Sequence, residues 1–363
     1  MGFTSKYRCP RAAGHGKIII LVIVFLCLHI AGSARAQGRP AVNPDGAIGG
    51  LKASFADVKG VRTRYYEMGQ GEPLLLLHGG GLNGRSSANV WSKNIPGLAK
   101  RFHVFAPDRL GSGLTDNPHE DKDYNIQGEI EFLRDFLETM KIRQVNLIGH
   151  SAGGALAFYF SIAHPEMVKT LIIVAPGGEV PAGGAQKEEA FFVNCPKEPA
   201  TAAWKCRIRA QTLKPDVAFD DDDYWQSGYY MMDQPKAKVT AAKLKTGAGE
   251  PLRTEQAAAW RQSMIERVAK EGALQMPVLL YWGRQDPTDW AINDPVSKMQ
   301  QGLALFDAIG AKDPSVRMIV LNDAGHYMYR EYPQMFNEDI THFIESWNHD
   351  PVKPSGSAST APR

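Results

Sequence analysis

NLIGHSAGGA, residues 146–155, places Ser151 between Gly149 and Gly153, directly after a short apolar run. The run predicts a buried strand, and the residues after Ser151 predict a helix. A sharp turn from a strand into a helix strains the backbone of the central residue and holds its side chain clear of the sheet. The G-x-S-x-G pattern is weak alone, but in this setting it predicts that Ser151 is a nucleophile rather than a small residue in a glycine-rich turn.

Short apolar runs dense in Val, Ile and Leu recur along the chain, each bounded by Gly, Pro or Asp. Strands that are buried on both faces have this composition. Helical patterns lie between the runs, most clearly at residues 126–140 and 152–163. The alternation predicts an α/β protein with a mostly parallel, doubly wound sheet. Its parallel strands are expected at residues 74–77, 102–106, 145–148, 170–174, 278–282 and 316–321, after two antiparallel strands at residues 52–57 and 61–68.

The alternation is interrupted at residues 178–272, which contain no clear strand and are rich in Trp, Tyr and Met. We expect this segment to be a mainly helical cap, with a core formed by residues 51–177 and 273–349. The aromatic and Met side chains of the cap fit the lining of an apolar pocket and fit simple packing equally well. Residues 37–50 are rich in Gly and Pro and predict a flexible lead-in. Residues 350–363 predict a disordered tail.

The first 36 residues predict a signal peptide. Four basic residues precede the apolar run at residues 18–30, and residues 34–36 form an A-x-A cleavage site. The thirteen residues of this run fall short of the roughly 20 that span a bilayer, so cleavage after Ala36 is favoured over an uncleaved anchor. We therefore expect a secreted or periplasmic protein with no stable membrane insertion after signal cleavage.

Signal cleavage changes the charge and the cysteine content. Residues 1–36 hold five of the 41 basic residues and none of the 39 acidic ones, which leaves a mature net charge near −3. This balance gives no indication of a nucleic-acid partner, and a small-molecule substrate is expected. Only Cys195 and Cys206 remain in the mature chain. In an exported protein they are a plausible disulfide, with two free thiols as the alternative.

A serine hydroxyl needs a base to accept its proton and a third group to orient that base. His326, in NDAGHY, follows the last predicted strand and is the expected base, whereas His150 and His164 are expected to be structural. Asp286, in WGRQD, follows the strand before it and is the first candidate for the acid. The order Ser151, Asp286, His326 is typical of the fold in which this turn occurs. The fallback acids are Asp289 and Asp294, while Asp323 lies too close in sequence to His326 to be the first choice.

A glycine-rich loop, HGGG at residues 78–81, follows the first predicted parallel strand. Alone it is equally typical of a phosphate-binding turn or a plain loop. A tetrahedral intermediate, however, needs N–H donors around its oxyanion, and glycines let the backbone approach closely. We expect Gly80 or Gly81, together with Ala152 at the start of the helix, to supply these donors.

These motifs occur in the order typical of the α/β-hydrolase family, which the chain resembles over roughly residues 50–348. The motifs are HGGG, PDRLGSG at residues 107–113, GHSAGG, WGRQD and AGH. The set is highly specific for the fold and much less so for the substrate. The resemblance implies the same fold and triad, a structural role for Asp108 and Arg109, and no need of a cofactor or metal. The acidic run at residues 220–223 is expected to be a solvated loop.

Within the family, LLHGGG, Asn89 and the stretch IPGLAKRFHVFAPDRLGSGLTDNP resemble the meta-cleavage-product hydrolases. Those enzymes hydrolyse a carbon–carbon bond in vinylogous diketo acids. The resemblance implies that Asn89 lies near the substrate and that a cap arginine, Arg207 or Arg209, meets the substrate carboxylate. A plain surface position is the commoner role of such arginines.

Three features depart from that subfamily. His150 stands where those enzymes typically have Asn, Tyr327 stands where they typically have Trp, and they are cytoplasmic whereas this chain is expected to be exported. Tyr327 stays a candidate substrate contact because it follows His326. We expect ester or lactone hydrolysis of a bulky apolar substrate, with C–C bond hydrolysis of a vinylogous diketone as the alternative. A non-catalytic binding protein with the hydrolase fold is a further alternative, against which the full motif set argues.

Overall fold

Strands and helices alternate in the computed structural model, which describes residues 42–81, 84–176, 194–245, 255–286 and 295–348. The strands are β1 (Ala53–Val58), β2 (Val61–Met68), β3 (Glu72–Leu77), β4 (Phe102–Pro107), β5 (Val145–His150), β6 (Val168–Val174), β7 (Val278–Gly283) and β8 (Arg317–Leu321). They form an eight-stranded sheet in the order β1-β2-β4-β3-β5-β6-β7-β8. β2 pairs antiparallel with β1 and β4, and the pairings from β4 to β8 are parallel. The predicted fold class is confirmed.

The helices lie between the strands and after the last one. They are α1 (Ile95–Leu98), α2 (Ile126–Thr139), α3 (Ala152–Ala163), α4 (Ala200–Ala210), α5 (Pro215–Ala218), α6 (Asp222–Asp233), α7 (Pro235–Lys245), α8 (Glu255–Glu266), α9 (Pro295–Gly310), α10 (Met328–Glu331) and α11 (Pro333–Asn348). A π-helical turn, Arg267–Glu271, continues α8.

Helices cover both faces of the sheet, because successive side chains of a strand point to opposite faces. On β3, Leu75 and Leu77 pack in one hydrophobic cluster with side chains of α2, α3 and α9. Leu74 and Leu76 pack in a second cluster with side chains of α1, α10 and α11. Both faces are therefore buried, which explains why the strands read as unbroken apolar runs.

In the described residues between β6 and β7, all regular secondary structure is helical. It consists of α4 to α8 and the π-helical turn. We call residues 194–245 and 255–277 the insert. Its aromatic side chains pack both within the insert and on the core: Trp204 lies against Trp225, and Phe219 lies against Tyr327. The helical content fits the expected cap, while the boundaries at residues 178 and 272 stay a prediction.

Residues 42–50 differ from the flexible lead-in expected over residues 37–50. Ala47 and Ile48 are buried, and the carbonyl of Asp45 accepts a hydrogen bond from Nε of Arg64 (2.6 Å). Arg64 is itself fully buried, and a buried guanidinium needs acceptors for its N–H groups. Asp45 of the lead-in supplies one of these acceptors. A stretch rich in Gly and Pro is therefore hydrogen-bonded to a buried side chain of the core.

The remaining terminal predictions lie outside the described residues. These are the signal peptide at residues 1–36 and the tail at residues 350–363. The described residues belong to a compact unit that begins at Val42. Among the helices of the described ranges, none has the length and apolar character needed to cross a membrane.

Candidate active site

Ser151 lies at the turn between β5 and α3, with φ 53° and ψ −124°. A positive φ is strained for a residue that carries a side chain. The Ser151 N–H donates to the carbonyl of Val174 on β6 (3.0 Å), and its carbonyl accepts from the N–H groups of Gly154 (2.8 Å) and Ala155 (3.1 Å). The turn is therefore anchored to both the sheet and the helix.

The two glycines of the motif allow β3, β5 and α3 to approach each other. A Cβ atom on Gly153 would lie 2.5 Å from the carbonyl oxygen of His78 and 2.6 Å from that of Leu77. A Cβ atom on Gly149 would collide with the carbonyl of Gly153. The spacing of glycines around Ser151 thus reflects backbone packing under the turn.

The side chains of His326 and Asp286 meet on loops at the carboxyl ends of β8 and β7. Nδ1 of His326 lies 2.7 Å from Oδ2 of Asp286, and the two residues are only 4% and 2% exposed. A carboxylate oxygen accepts hydrogen bonds and donates none, so Nδ1 is the nitrogen that carries a proton towards Asp286, and in the neutral ring Nε2 is the acceptor. The structure therefore brings together the two residues that sequence reasoning chose as base and acid.

The backbone of His326 is held by both the insert and the core. Its N–H donates to the carbonyl of Gln211 in the insert (3.0 Å). Its carbonyl accepts from Nε2 of His150 (3.0 Å), and Nδ1 of His150 accepts from the hydroxyl of Tyr329 (3.0 Å). Since His150 directly precedes Ser151, it links the turn at Ser151 to the loop of His326.

His150 is a neutral imidazole. Burial lowers its pKa well below the usual histidine value, and the neighbouring His326 lowers this pKa further. One donating and one accepting ring nitrogen are what the neutral form offers. These contacts fit the structural role expected for His150.

The HGGG loop lies directly beside Ser151. A Cβ atom on Gly79 would lie 2.8 Å from Cβ of Ser151. Gly80 has φ 82°, a conformation that favours glycine, and Gly80 and Gly81 are exposed. Ala152 opens α3, whose N-terminal end favours negative charge. Gly79 and Ala152 thus lie on either side of Ser151, while the oxyanion role of Gly80, Gly81 and Ala152 stays a prediction.

Arg109 supports the loop from the core. Its Nη1 donates to the carbonyls of His78 (3.2 Å) and Gly80 (2.8 Å), and its Nε and Nη2 donate to the buried carboxylate of Glu129 (2.7 and 2.9 Å). Asp108, the preceding residue, is fully buried. It accepts hydrogen bonds from Arg64 (3.1 Å), Ala88 (2.7 Å) and Leu114 (2.9 Å). Both residues therefore hold the turns around the site, as expected of them.

Asn89 does not present a free polar atom to a substrate. Its Oδ1 accepts from Arg64 (2.9 Å) and Tyr66 (2.6 Å). Its Nδ2 donates to the carbonyl of Gly46 (3.0 Å) and to Oγ of Ser227 (2.9 Å). A side-chain amide has two donor hydrogens and two acceptor lone pairs, and all are used inside the protein. Asn89 was expected to contact the substrate. In the structure its side chain instead connects the lead-in, the core and the insert.

Of the other residues expected to contact the substrate, Arg207 and Arg209 lie at the surface and Tyr327 lies beside His326. Arg209 forms an ion pair with Asp216 at the surface (2.8 Å), and Arg207 is exposed on α4. Tyr327 is buried, with its ring centroid 5.3 Å from that of His326. Tyr327 therefore lies beside the predicted base, while the part of all three residues in substrate binding stays a prediction.

Of the remaining acidic candidates, Asp323 is the one within the described residues. Asp289 and Asp294 lie outside the described residues, and Asp323 pairs with Lys214 near the surface (2.5 Å). In the acidic run, Asp221 caps α6 by accepting from the N–H of Tyr224 (2.6 Å). Within the described ranges, no group of His, Cys, Asp and Glu side chains is arranged to hold a metal ion.

Cys195 and Cys206 form a disulfide within the insert, with an S–S distance of 2.01 Å and Cα atoms 5.6 Å apart. The bond ties the residues before α4 to the helix itself. Of the two alternatives left open for these thiols, the structure contains the disulfide.

Sequence reasoning missed Arg330 and Glu331, adjacent residues at the end of α10. Both are buried. Glu331 accepts hydrogen bonds from the N–H groups of Leu213 (2.8 Å) and Gly325 (3.0 Å), so it touches both the insert and the residue before His326. The sequence does contain a signal for these two residues, because they interrupt the otherwise uncharged stretch GHYMYREYP. If such a stretch is buried, its charged side chains are expected to have partners, since buried charges are nearly always paired.

A family model described as "alpha/beta hydrolase fold" matches residues 72–333. Over 127 residues, the chain is 39% identical to the 2-hydroxy-6-oxo-6-(2'-aminophenyl)hexa-2,4-dienoic acid hydrolase of Metapseudomonas resinovorans; the match covers 35% of this chain and 43% of that protein. The chain therefore matches less than half of that relative's length. It is also 29% identical over 286 residues to the pimeloyl-[acyl-carrier protein] methyl ester esterase of Aeromonas hydrophila, covering 76% of this chain and 96% of that protein.

Among solved structures, the chain resembles a serine hydrolase from the polyaromatic hydrocarbon-degrading bacterium Cycloclasticus zankles. The TM-score is 0.64 at 21% identity, covering 83% of this chain and 100% of the other. At this identity the likeness concerns the fold alone. The two sequence relatives named above are both hydrolases, so the hydrolase class expected from the motifs agrees with the named activities of similar proteins.

Proposed function

Since the chain belongs to the α/β-hydrolase fold family, we propose that it is a serine hydrolase whose catalytic residues are Ser151 and His326, with Asp286 orienting His326. The observation that carries the proposal is the 2.7 Å contact between Nδ1 of His326 and Oδ2 of Asp286. This contact supports the proposal because it favours the tautomer in which Nε2 can accept a proton. Ser151, on its strained turn, lies next to His150, whose ring centroid is 4.5 Å from that of His326.

The proposed reaction has two matched halves. Oγ of Ser151 attacks the substrate carbonyl carbon while Nε2 of His326 takes the hydroxyl proton, and the same nitrogen then protonates the departing oxygen. Water repeats the attack on the acyl-enzyme, with its proton passing to His326 and then to Ser151. In each half the carbonyl oxygen becomes negative, and N–H groups of Gly80, Gly81 and Ala152 are proposed to bind it.

Esters or lactones of a bulky, apolar acyl chain are the proposed substrates. The contacts of two residues, His150 and Asn89, weigh against a diketo acid as the first choice of substrate. His150 replaces an Asn and bonds to His326 and Tyr329, and the amide of Asn89 is bonded within the protein at both ends. The aromatic ring of Tyr327 lies beside that of His326 instead, and Phe219 packs against Tyr327.

C–C bond hydrolysis of a vinylogous diketone is the second candidate. It is supported by the 39% identity to a hydrolase named for a 2-hydroxy-6-oxo-hexa-2,4-dienoic acid. Steady-state rates on a series of aryl esters and on a 2-hydroxy-6-oxo-6-phenylhexa-2,4-dienoate separate the two. Turnover of the esters supports the first proposal, and turnover of the dienoate alone overturns it. Failure of both, with no labelling by a fluorophosphonate, favours a binding protein.

We also propose that the protein is exported after cleavage behind Ala36. The signal-like pattern of residues 1–36 supports this, as does the disulfide, because such bonds persist in oxidising compartments. N-terminal sequencing of protein recovered from outside the cytoplasm is the test. A start at Gln37 is expected, and a start at Met1 in the cytoplasmic fraction would contradict the proposal.

A further inference from the structure

Polar contacts join the insert to the loop that carries His326. We call residues 211–214 of the insert the strap and residues 323–326 the His326 loop. The carbonyl of Gln211 accepts from the N–H of His326 (3.0 Å), and Lys214 pairs with Asp323 (2.5 Å). Glu331 lies between the two segments and contacts both. The position of the predicted base is therefore tied to that of the insert.

Glu331 uses both carboxylate oxygens in this bridge. Oε1 accepts from the N–H groups of Leu213 (2.8 Å) and Lys214 (3.4 Å). Oε2 accepts from the N–H of Gly325 (3.0 Å). Backbone donors from two segments face this side chain and need an acceptor on each side, and a carboxylate offers two acceptor oxygens and no donor. Because the group is buried, these hydrogen bonds replace the water that it has lost.

The strap and the His326 loop are packed backbone to backbone at Gly325. A Cβ atom on Gly325 would lie 2.6 Å from the backbone nitrogen of Leu213 and 3.1 Å from Oε1 of Glu331. No side chain fits in this gap, so the separation of the two segments is set by direct contact as well as by the carboxylate.

We propose that Glu331 is a positioning residue of the active site: by binding the strap and Gly325 together, it sets where His326 stands relative to Asp286 and Ser151. This inference rests on the proposed function of His326. Glu331 needs no contact with substrate for this role. Displacing a catalytic group by about 1 Å can cost about 10²-fold in rate, so a loosened loop lowers the rate of chemistry more than the binding of substrate.

The insert has a second anchor that does not reach the His326 loop. Arg330 donates from Nε to the carbonyl of Ala218 (2.7 Å) and from Nη1 to the carbonyl of Val90 (2.8 Å). It thereby holds the insert on the core independently of Glu331. A change at Glu331 is therefore expected to leave the insert docked and the protein folded.

The first test is Glu331→Gln, which keeps the size of the side chain but turns an NH₂ group towards the backbone N–H groups of either the strap or Gly325. The kcat and KM for an aryl ester are measured per active site, counted with a fluorophosphonate. We expect kcat to fall about tenfold to hundredfold while KM stays within about twofold. Glu338→Gln is the matched control, because Glu338 is exposed on the next helix, and its kcat is expected to equal that of the wild type.

Gly325→Ala tests the same contact without removing the carboxylate, and it decides the matter if Glu331→Gln does not fold. The added methyl group pushes the strap away from the His326 loop, and the same loss of kcat at near-constant KM is expected. A purely structural Glu331 gives variants with a lower melting temperature but wild-type kcat per active site, which overturns the proposal. A wild type that neither hydrolyses esters nor reacts with the fluorophosphonate overturns the proposed function itself, a result distinct from both.

Discussion

The imidazole of His150 donates a hydrogen bond to the carbonyl of His326 (3.0 Å), so the residue before the proposed nucleophile holds the backbone of the proposed base. The ring also accepts from the hydroxyl of Tyr329 (3.0 Å). One side chain therefore connects the end of β5 to two positions on the segment after β8. Its neutral state is part of the arrangement, since a charged ring would lose its accepting nitrogen.

Replacing this ring is expected to destabilise the protein. His150→Asn gives a shorter side chain that cannot reach both partners, and a buried group left without its hydrogen bond costs about 1–3 kcal/mol. Urea unfolding measures the change in free energy of unfolding. His342→Asn, at an exposed histidine, is the control and is expected to change it by less than about 0.5 kcal/mol. Equal stability of the two variants would contradict the role given to His150.

Asp286→Asn is expected to remove activity without unfolding the protein. An amide donor facing Nδ1 favours the wrong tautomer of His326, and in a Ser-His-Asp triad this change lowers kcat about 10⁴-fold. Aryl-ester kinetics and circular dichroism on the same preparation measure both effects. Asp307→Asn, at an exposed aspartate, should retain wild-type kcat. A kcat for Asp286→Asn within tenfold of the wild type would move the role to one of the other acidic residues.

Gly153→Ala is expected to disrupt the nucleophile turn. The new Cβ atom would lie 2.5 Å from the carbonyl oxygen of His78 and 2.6 Å from that of Leu77, at the end of β3. Overpacking of this kind costs about 1–3 kcal/mol or more. Gly310→Ala is the matched control, because its nearest contact is 3.5 Å away. We expect a clear fall in unfolding midpoint for the first variant alone. If Gly153→Ala has the unfolding midpoint and the activity of the wild type, the turn has room for a Cβ atom, which contradicts the close packing at Gly153.

Acid is expected to destabilise the protein through His78. Burial, followed by the charge of Arg109, lowers the pKa of His78 from 6.5 to about 4. Between these values the unfolded chain binds a proton that the folded protein does not, so stability falls as the pH drops below 6.5 and is fully present above it. The shift predicts a loss of about 2 kcal/mol from pH 7 to pH 5.

The comparison of wild type with His78→Gln isolates this effect, because other titrating groups are common to both proteins. Free energies of unfolding in urea are measured at pH 7 and pH 5. The pH-dependent loss should be smaller in the variant, and an identical loss in both proteins would contradict the assignment.

Local sequence patterns predicted the strands, the turn at Ser151 and the order of the catalytic candidates because each depends on a short stretch of chain. The alternation of apolar runs and helical patterns predicts a mostly parallel sheet. The glycines of GHSAGG are required by close backbone contacts at that turn. Asn89 could not be assigned in this way, since Ser227, one of its partners, lies 138 residues away in the chain.

The contacts of the lead-in and of Glu331 could not be predicted from the sequence, for the same reason. The composition of residues 42–50 predicted a flexible segment, whereas the carbonyl of Asp45 in this segment accepts a hydrogen bond from the buried guanidinium of Arg64. The importance of Glu331 depends on a strap that lies 118 residues earlier in the chain. Partners of buried polar groups are set by tertiary contacts, and periodicity carries no information about them.

The most direct test of the account is to locate the adduct formed with a fluorophosphonate by mass spectrometry of the digested protein. We predict one phosphonyl group on Ser151 in the wild type, none in Ser151→Ala, and much slower labelling in Asp286→Asn. Folded wild-type protein that takes up no label, or a label that persists unchanged in Ser151→Ala, would contradict the claim that Ser151 is the nucleophile.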